Sequence, residues 1–438
     1  MRAFSLSTSS LLVIAMFAAV SAFGQTGGSD RLTGALTDRA LAEQITRLKT
    51  DDRIAVYQNM IATKPDDLHY QNLLAGGYIQ KVRDTTDYSY LDRASAILDT
   101  VLASDGENYE ALRLRSEVEL ERHNFAKVAE YSRQLTKFAP NDSWNWGTLG
   151  DALIELGDYD NAAEAYQRMV TIRPDLSSYN RAAWFHFLAG DMPGAIDIMK
   201  RAIGAGSVSP ENIAWCAVEL GHLYVKSGRL DEAEAAYSAA VKVFPGYHPG
   251  YAGLGRVEAA RGNVKAAIED YKRAQASTPL PDYAGALYDL YLADGNPKEA
   301  QKQMDLVDVI DKMGQAAKEK ANRNLAIIYA DHDHRVDRAL ELATAELDVR
   351  HDVYTYDALA WALYKNHKNA EAEKAIAIAL KMGTPEPGFY YHAGMIAMAN
   401  GKKKEAGEYL QKALDLNPHF DLRQVPIAQK TLKEMAAL

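Results

Sequence analysis

One spacing governs what this chain can fold into. An alanine returns at Ala162, Ala195, Ala233, Ala267, Ala300, Ala339, Ala372 and Ala406, in steps of 33, 38, 34, 33, 39, 33 and 34 residues. Some twelve residues before each stands a landmark dipeptide: Leu149-Gly150, Leu220-Gly221 and Leu254-Gly255 in full, with Ala182-Ala183, Leu287-Tyr288, Leu325-Ala326, Leu359-Ala360 and Ala393-Gly394 as looser forms. A fixed period near 34 residues means one supersecondary unit used again and again. Small residues at both landmarks let two helices approach closely. Tyr166, Tyr237 and Tyr271, each four residues after its alanine, share that alanine's helix face and fill the space beside it.

Punctuation completes the unit. Gly157, Gly190, Gly228, Gly262, Gly295 and Gly401 follow the first helical stretch, where a left-handed cap favours glycine. Pro174, Pro245, Pro279 and Pro418 follow the second, which they stop. Each unit therefore reads as a helical hairpin. The fullest copy runs Trp146, Leu149, Gly150, Leu153, Gly157, Ala162, Tyr166 and Pro174. This copy resembles the tetratricopeptide repeat, W-x2-L-G-x2-Y…A-x3-F…P, with Leu153 for the first Tyr and Tyr166 for the Phe. The chain is similar to exported bacterial members of that family. The resemblance implies an all-α fold, a right-handed α-α superhelix of about 10–11 helical-hairpin repeats.

A single hairpin cannot bury its own apolar face, so neighbours must stack and the ends need caps. Regular repeats are expected over residues 143–420 and weaker ones over 35–142, with a capping helix at 421–438. Three insertions break the step, at Val82–Tyr90, Gly204–Pro210 and Asp331–Arg335, and are expected to form loops.

The first residues carry an address. Arg2 precedes ten apolar residues from Leu11 to Val20, then small residues around Ala22 and Gly24. That is the layout of an export signal over 1–24, followed by a linker over 25–34. Ten apolar residues are too few to cross a bilayer, which needs about 20 in helical form. The expectation is a periplasmic or extracellular protein with no membrane span. Cys216 is the only cysteine, so no intrachain disulfide can staple the fold. Without Arg2 the chain has 48 basic against 59 acidic residues. Such a balance argues against nucleic acid as a partner, because phosphate recognition needs clustered Lys and Arg.

Nothing in the sequence gathers into catalytic machinery. It holds no Gly-rich phosphate loop, no H-E-x-x-H and no G-x-S-x-G. Asp331-His332-Asp333-His334 crowds metal-ligand types together, but two histidines two apart in a turn lack zinc-site spacing, so a solvated polar loop is expected. Glu117, Glu119 and Glu121 are expected on the wet side of a helix. No enzyme activity, cofactor or metal is expected.

In the family that this chain resembles, the first helix of each hairpin lines a concave face. The residue just after the small landmark points into it, as does the one three further on. Those places hold Trp184 with Phe187, His222 with Val225, Trp361 with Tyr364 and Met395 with Met398; Trp215, Tyr354 and Tyr391 fall at other inward positions. One reading is that these rings pack against neighbouring helices or under the terminal cap. The other is a partner-binding groove formed by Trp184, Phe187, Trp215, His222, Tyr354, Trp361, Tyr364 and Tyr391. The function expected is a protein-binding scaffold or adaptor of the cell envelope, a component of an envelope complex. A small-molecule or glycan binder that uses the Trp and Tyr rings as stacking platforms is the alternative.

Overall fold

The structure is a computed structural model that describes residue 45 and residues 48–437 apart from 86, 208 and 318–321. The expected export signal, linker and start of the weaker repeats lie outside the described residues. The described residues form twenty-two helices and no strand. Thr50–Thr63 (α1) comes first. Ten hairpins follow: Leu68–Thr85 with Ser89–Ser104 (α2, α3), Tyr109–Glu121 with Phe125–Phe138 (α4, α5), Ser143–Glu155 with Tyr159–Ile172 (α6, α7), Leu176–Leu188 with Met192–Ala205 (α8, α9), Pro210–Lys226 with Leu230–Val243 (α10, α11), His248–Ala260 with Val264–Ser277 (α12, α13), Pro281–Ala293 with Pro297–Ala316 (α14, α15), Arg323–Asp331 with Val336–Glu346 (α16, α17), Val353–Lys365 with Asn369–Ala379 (α18, α19), and Pro387–Ala399 with Lys403–Leu416 (α20, α21). Gln424–Ala436 (α22) closes the order.

The hairpin arises from the landmarks. In α6 and α10 the small residue is a seat for a ring: a Cβ added at Gly150 would lie 2.4 Å from Tyr166, and one at Gly221 would lie 2.4 Å from Tyr237. Ala162 and Ala233, fully buried, bring the second helix close enough for that contact. Gly221→Ala therefore forces the fully buried Tyr237 to move. Such overpacking is expected to cost about 1–3 kcal/mol, measured as a lower urea midpoint; an unchanged midpoint would show that the ring has room to yield.

Turns follow the same logic. Gly157 stands at φ +73° just past α6, and the Asp158 N–H bonds back to the Leu153 carbonyl at 2.9 Å, the bond that a left-handed cap makes. His123 and His367 occupy the equivalent place in their hairpins at φ +56° and +60°, so the turn persists without glycine. The second helices α7, α11, α13 and α21 each end two residues before Pro174, Pro245, Pro279 and Pro418.

By contact the chain divides into two compact units, and the division falls within α6, between Leu149 and Gly150. In the N-terminal unit the core gathers Leu74, Ile79, Leu98 and Val101 from α2 and α3. Its carboxylates depart from expectation. Glu117 and Glu119 are buried: Arg83 donates to Glu117 at 3.2 Å, and Arg115 pairs with Glu119 at 3.2 Å. Burial is the larger influence on Glu117 and raises its carboxyl above the usual range despite Arg83. The helix face expected to be wet is an ion-paired interior because the matching arginines come from the same and the preceding hairpin.

In the C-terminal unit successive first helices touch one another, α10 with α12, α14 with α16, α16 with α18 and α18 with α20. The first helices therefore form the inner wall of its curve. The coil runs far enough to meet itself. Arg350 donates to Glu155 at 2.7 Å across 195 residues, Thr384 to the Leu188 carbonyl at 2.7 Å across 196, and Asn417 to the Val225 carbonyl at 2.8 Å across 192. Three successive first-helix ends thus lie against three successive inter-hairpin turns. Gly157 is part of this seam, since a Cβ there would come within 2.6 Å of the His351 carbonyl oxygen. Arg350, Glu155, Glu346, Arg323 and Asp352 are all buried along it.

The third insertion is a solvated turn only in part: Asp333 and Arg335 are exposed, but its histidines are held. His332 is buried, with its side chain 5% exposed; its ring lies edge-on to Tyr288 at 4.9 Å, and its Nε2 lies 3.2 Å from Asp289. His334 pairs with Asp308 at 3.1 Å.

Candidate functional site: the inner wall of the C-terminal unit

The wall is built by the first helices from α8 to α20, and each sets its inward residues at i, i+3 and i+4 spacing so that they share one face. The ring-bearing positions singled out in the sequence fall into two clusters. In the first, Trp184 stacks on Tyr354 with centroids 5.8 Å apart and planes 16° apart, and lies 5.5 Å from Phe187. Phe187 is fully buried, with the Lys226 ammonium 5.5 Å above its ring. Trp215 packs half-buried against the same core. The Tyr354 hydroxyl donates to Glu386 at 3.1 Å, and Glu386 also receives Lys226. His222 places Nδ1 2.8 Å from the Tyr237 hydroxyl. Burial first, then Arg256 and Lys226, holds its imidazole well below the usual range, so it stands neutral.

The second cluster surrounds Trp361, which is 2% exposed. His392 stacks on it at 4.2 Å and Tyr364 at 4.9 Å, while Tyr391 meets it edge-on at 5.7 Å. Its indole N–H donates to Asp331 at 2.8 Å. Most ring faces in both clusters are thus turned toward one another.

What faces the concavity is charged. Arg256 and Asp289 stand just after their landmark dipeptides, the same place as Trp184, His222 and Trp361; Glu219, Asp282 and Asp331 lie nearby on first helices. Asp282 and Arg256 keep broad water contact, yet protein rings them. Crowding by burial pushes the Asp282 carboxyl up to about 6 and Glu219 up to about 7, with Arg256 opposing both and Lys226 also opposing the rise at Glu219. Burial likewise lifts Asp331 to about 6, against the pull of His392. Access to water together with crowding by protein is the signature of a group inside a narrow concavity.

Between α14, α16, α18 and the start of α22 the wall encloses a cleft of ≈ 50 Å³ lined by Asp289, Asp331, Trp361, Lys365, Arg423 and Gln424 among others. Pockets for drug-sized ligands occupy about 300–1,000 Å³, so this one admits a side-chain head group. Among the described residues no group of three or more His, Cys, Asp or Glu is placed to hold a metal, and no helix is long and apolar enough to cross a membrane.

The tetratricopeptide repeat family model matches residues 148–210, 218–281 and 358–419. The chain contains tetratricopeptide repeats. The matched stretches carry Trp184, His222, Arg256, Trp361 and Tyr391, so the wall is made in good part by recognised tetratricopeptide units. No curated protein matches the sequence. Among solved structures, the chain is similar to yeast Tom70, with 14% identity over 93% of this chain and 97% of that one and a TM-score of 0.37. It is also similar to a tetratricopeptide repeat protein from Parabacteroides merdae, with 19% identity over 60% and 98% and a TM-score of 0.33. A third is PilW, a widely conserved type IV pilus biogenesis factor, with 16% identity over 54% and 93% and a TM-score of 0.33.

Proposed function

We propose that the chain is a non-catalytic scaffold of the cell envelope or exterior, exported by its first 24 residues, and that a partner protein seats on the inner wall of the C-terminal unit. The observation that carries this reading is the combination at Arg256 and Asp282: charged side chains at inward positions, reached by water and ringed by protein. Tetratricopeptide repeats commonly serve as protein-interaction scaffolds, which supports the general role. The size of the cleft and the mutual stacking of the rings favour a polypeptide over a glycan, because stacking platforms need free ring faces.

Photo-crosslinking tests the face. A benzophenone amino acid in place of Arg256 or Asp282 is expected to capture a discrete partner from an envelope extract. The same probe at Glu269 or Lys272, on the outer helix α13, is expected to capture at least tenfold less of it. Equal capture from both faces would remove the inner wall from the account.

A further inference from the structure

The segment after α21 does not leave the molecule; it turns back onto the inner wall. The Phe420 ring comes within 6.0 Å of Tyr391. Asp421 caps the next turn, accepting the N–H groups of Arg423 and Gln424 at 2.8 and 2.7 Å. Gln424 then donates to Asp331 on α16 at 2.9 Å. The Arg423 Nη1 reaches Asp289 on α14 at 3.6 Å, an ion pair beyond hydrogen-bond length. The helix that follows is lightly held: of the thirteen residues of α22 only Val425 and Ala428 are buried, whereas α20 buries nine of its thirteen. Elements with few buried apolar contacts open first.

We propose that residues 421–436 form a displaceable strap across the acidic part of the inner wall. Arg423 is its built-in occupant, and a partner's arginine or lysine takes Asp289 and Asp331 when the strap lifts. This rests on the reading of the unit as a protein-binding scaffold and adds the partner's chemistry and the contact that competes with it. Arg423 itself points to that chemistry, since the chain sets a guanidinium in the lining of the cleft, 3.6 Å from Asp289 and short of full hydrogen bonding. A free cationic side chain can approach both carboxylates without that restraint.

Charge on the wall gives the strap a direction with pH. Asp331 is raised by burial, against the pull of His392, and by the charge of Asp421 on the strap; Asp421 is raised by burial and, in lesser part, by the charge of Asp289. Lifting the strap separates the two carboxyls and admits water to both, so both fall and the docked form holds protons more tightly. Docking is therefore favoured as pH falls through about 6 and lifting as it rises above that. The other charged groups at the cleft, His332 on Asp289, His392 beside Trp361, and Lys365 bonded to Asp333, stay on the wall in both positions.

Two measurements on the full chain test this. Hydrogen exchange is expected to show 424–436 opening ahead of α20, with protection falling at least tenfold from pH 5 to pH 7.5 after correction for intrinsic rates. Protection equal to that of α20 at both values overturns the strap, whatever the wall binds. In the second, fluorescein-labelled octa-arginine is titrated by anisotropy at fixed ionic strength. Val425→Asp, which lifts the strap, is expected to bind about tenfold tighter than wild type. Adding Asp289→Asn and Asp331→Asn should abolish that gain, while Glu405→Gln and Glu408→Gln on outer helix α21 should not. A Gly407→Cys/Met435→Cys variant joined by a short bismaleimide pins the strap, since Met435 Cε lies 3.4 Å from a Cβ built at Gly407 and the native Cys216 is buried; it should bind tenfold weaker. Equal affinity in lifted and pinned forms overturns the proposal. If Val425→Asp lowers the melting transition of the whole unit, Arg423→Ala, which leaves the apolar contacts in place, takes its role with a gain of at least threefold expected. Failure of the crosslinking experiment would instead count against the scaffold reading, and leaves the exchange result to stand by itself.

Discussion

Replacing Arg350 with methionine is expected to destabilise the C-terminal unit by about 3–5 kcal/mol, the cost of removing one partner from a buried ion pair. Arg350 sits between Glu155, at 2.7 Å, and Glu346, which it also contacts, and all three are buried. Methionine fills similar space, so the loss is electrostatic: two carboxylates remain out of water, with Arg323 and Asp352 close by. Glu155 already titrates above the usual carboxylate range, because burial outweighs the attraction of Arg350. Without Arg350 it moves further up. A carboxyl raised in the folded state is a penalty borne above its folded value and absent below its unfolded one, so the deficit of Arg350→Met should shrink as pH falls toward 4. Adding Glu155→Gln should restore much of the loss at pH 7. Urea unfolding of the two single variants and the double gives the coupling, and a coupling below about 0.5 kcal/mol would mean that the seam does not depend on this pair.

How much of this was legible depends on how far each cause lies along the chain. The seat at Gly221 for Tyr237 and the turn at Gly157 are local, belong to a pattern whose landmark alanine stands at eight positions, and stand out as a period. Glu155 and Arg350 are 195 residues apart and occupy different places in their hairpins, so no repeat marks them as partners. Their meeting is set by how tightly the coil winds, which accumulates from small rotations at every hairpin. Glu119 looks like any helical carboxylate until Arg115 and Arg122 are seen to close on it. His332 belongs to an apparent polar loop, yet its ring is held by Asp289 and Tyr288 from the preceding hairpin. On the wall, position after the landmark marks Arg256 and Asp289 as surely as Trp184 and Trp361. Residue type alone does not, because an aromatic ring serves packing as readily as recognition, and only the folded neighbours decide which faces stay free.

Trp361 shows that division most sharply, and Trp361→Ala is expected to cost about 3–5 kcal/mol, the range for emptying a large buried aromatic site. The ring is 2% exposed and stacks with both His392 and Tyr364, so its removal leaves a cavity that neither stacked neighbour can fill without leaving its own contacts. Its indole N–H also goes. Asp331, at about 6 through burial, then loses a donor that favours its ionised form and should titrate higher still. Trp361→Phe separates the two effects: it keeps most of the stacking and loses the hydrogen bond, for about 1.5–3 kcal/mol, the usual worth of a bond to a charged acceptor. In a stacked array the damage stays near its source. Hydrogen exchange should therefore speed up first in α16, α18 and α20, while α2 to α5 keep their protection. Trp184→Ala, at a half-buried ring whose chief neighbours are Tyr354 and Phe187, should cost less than half as much. If Trp361→Ala instead left stability untouched and weakened partner capture tenfold, the ring would be a free docking surface, and the closed stack of Trp361, His392 and Tyr364 would not describe the protein in solution.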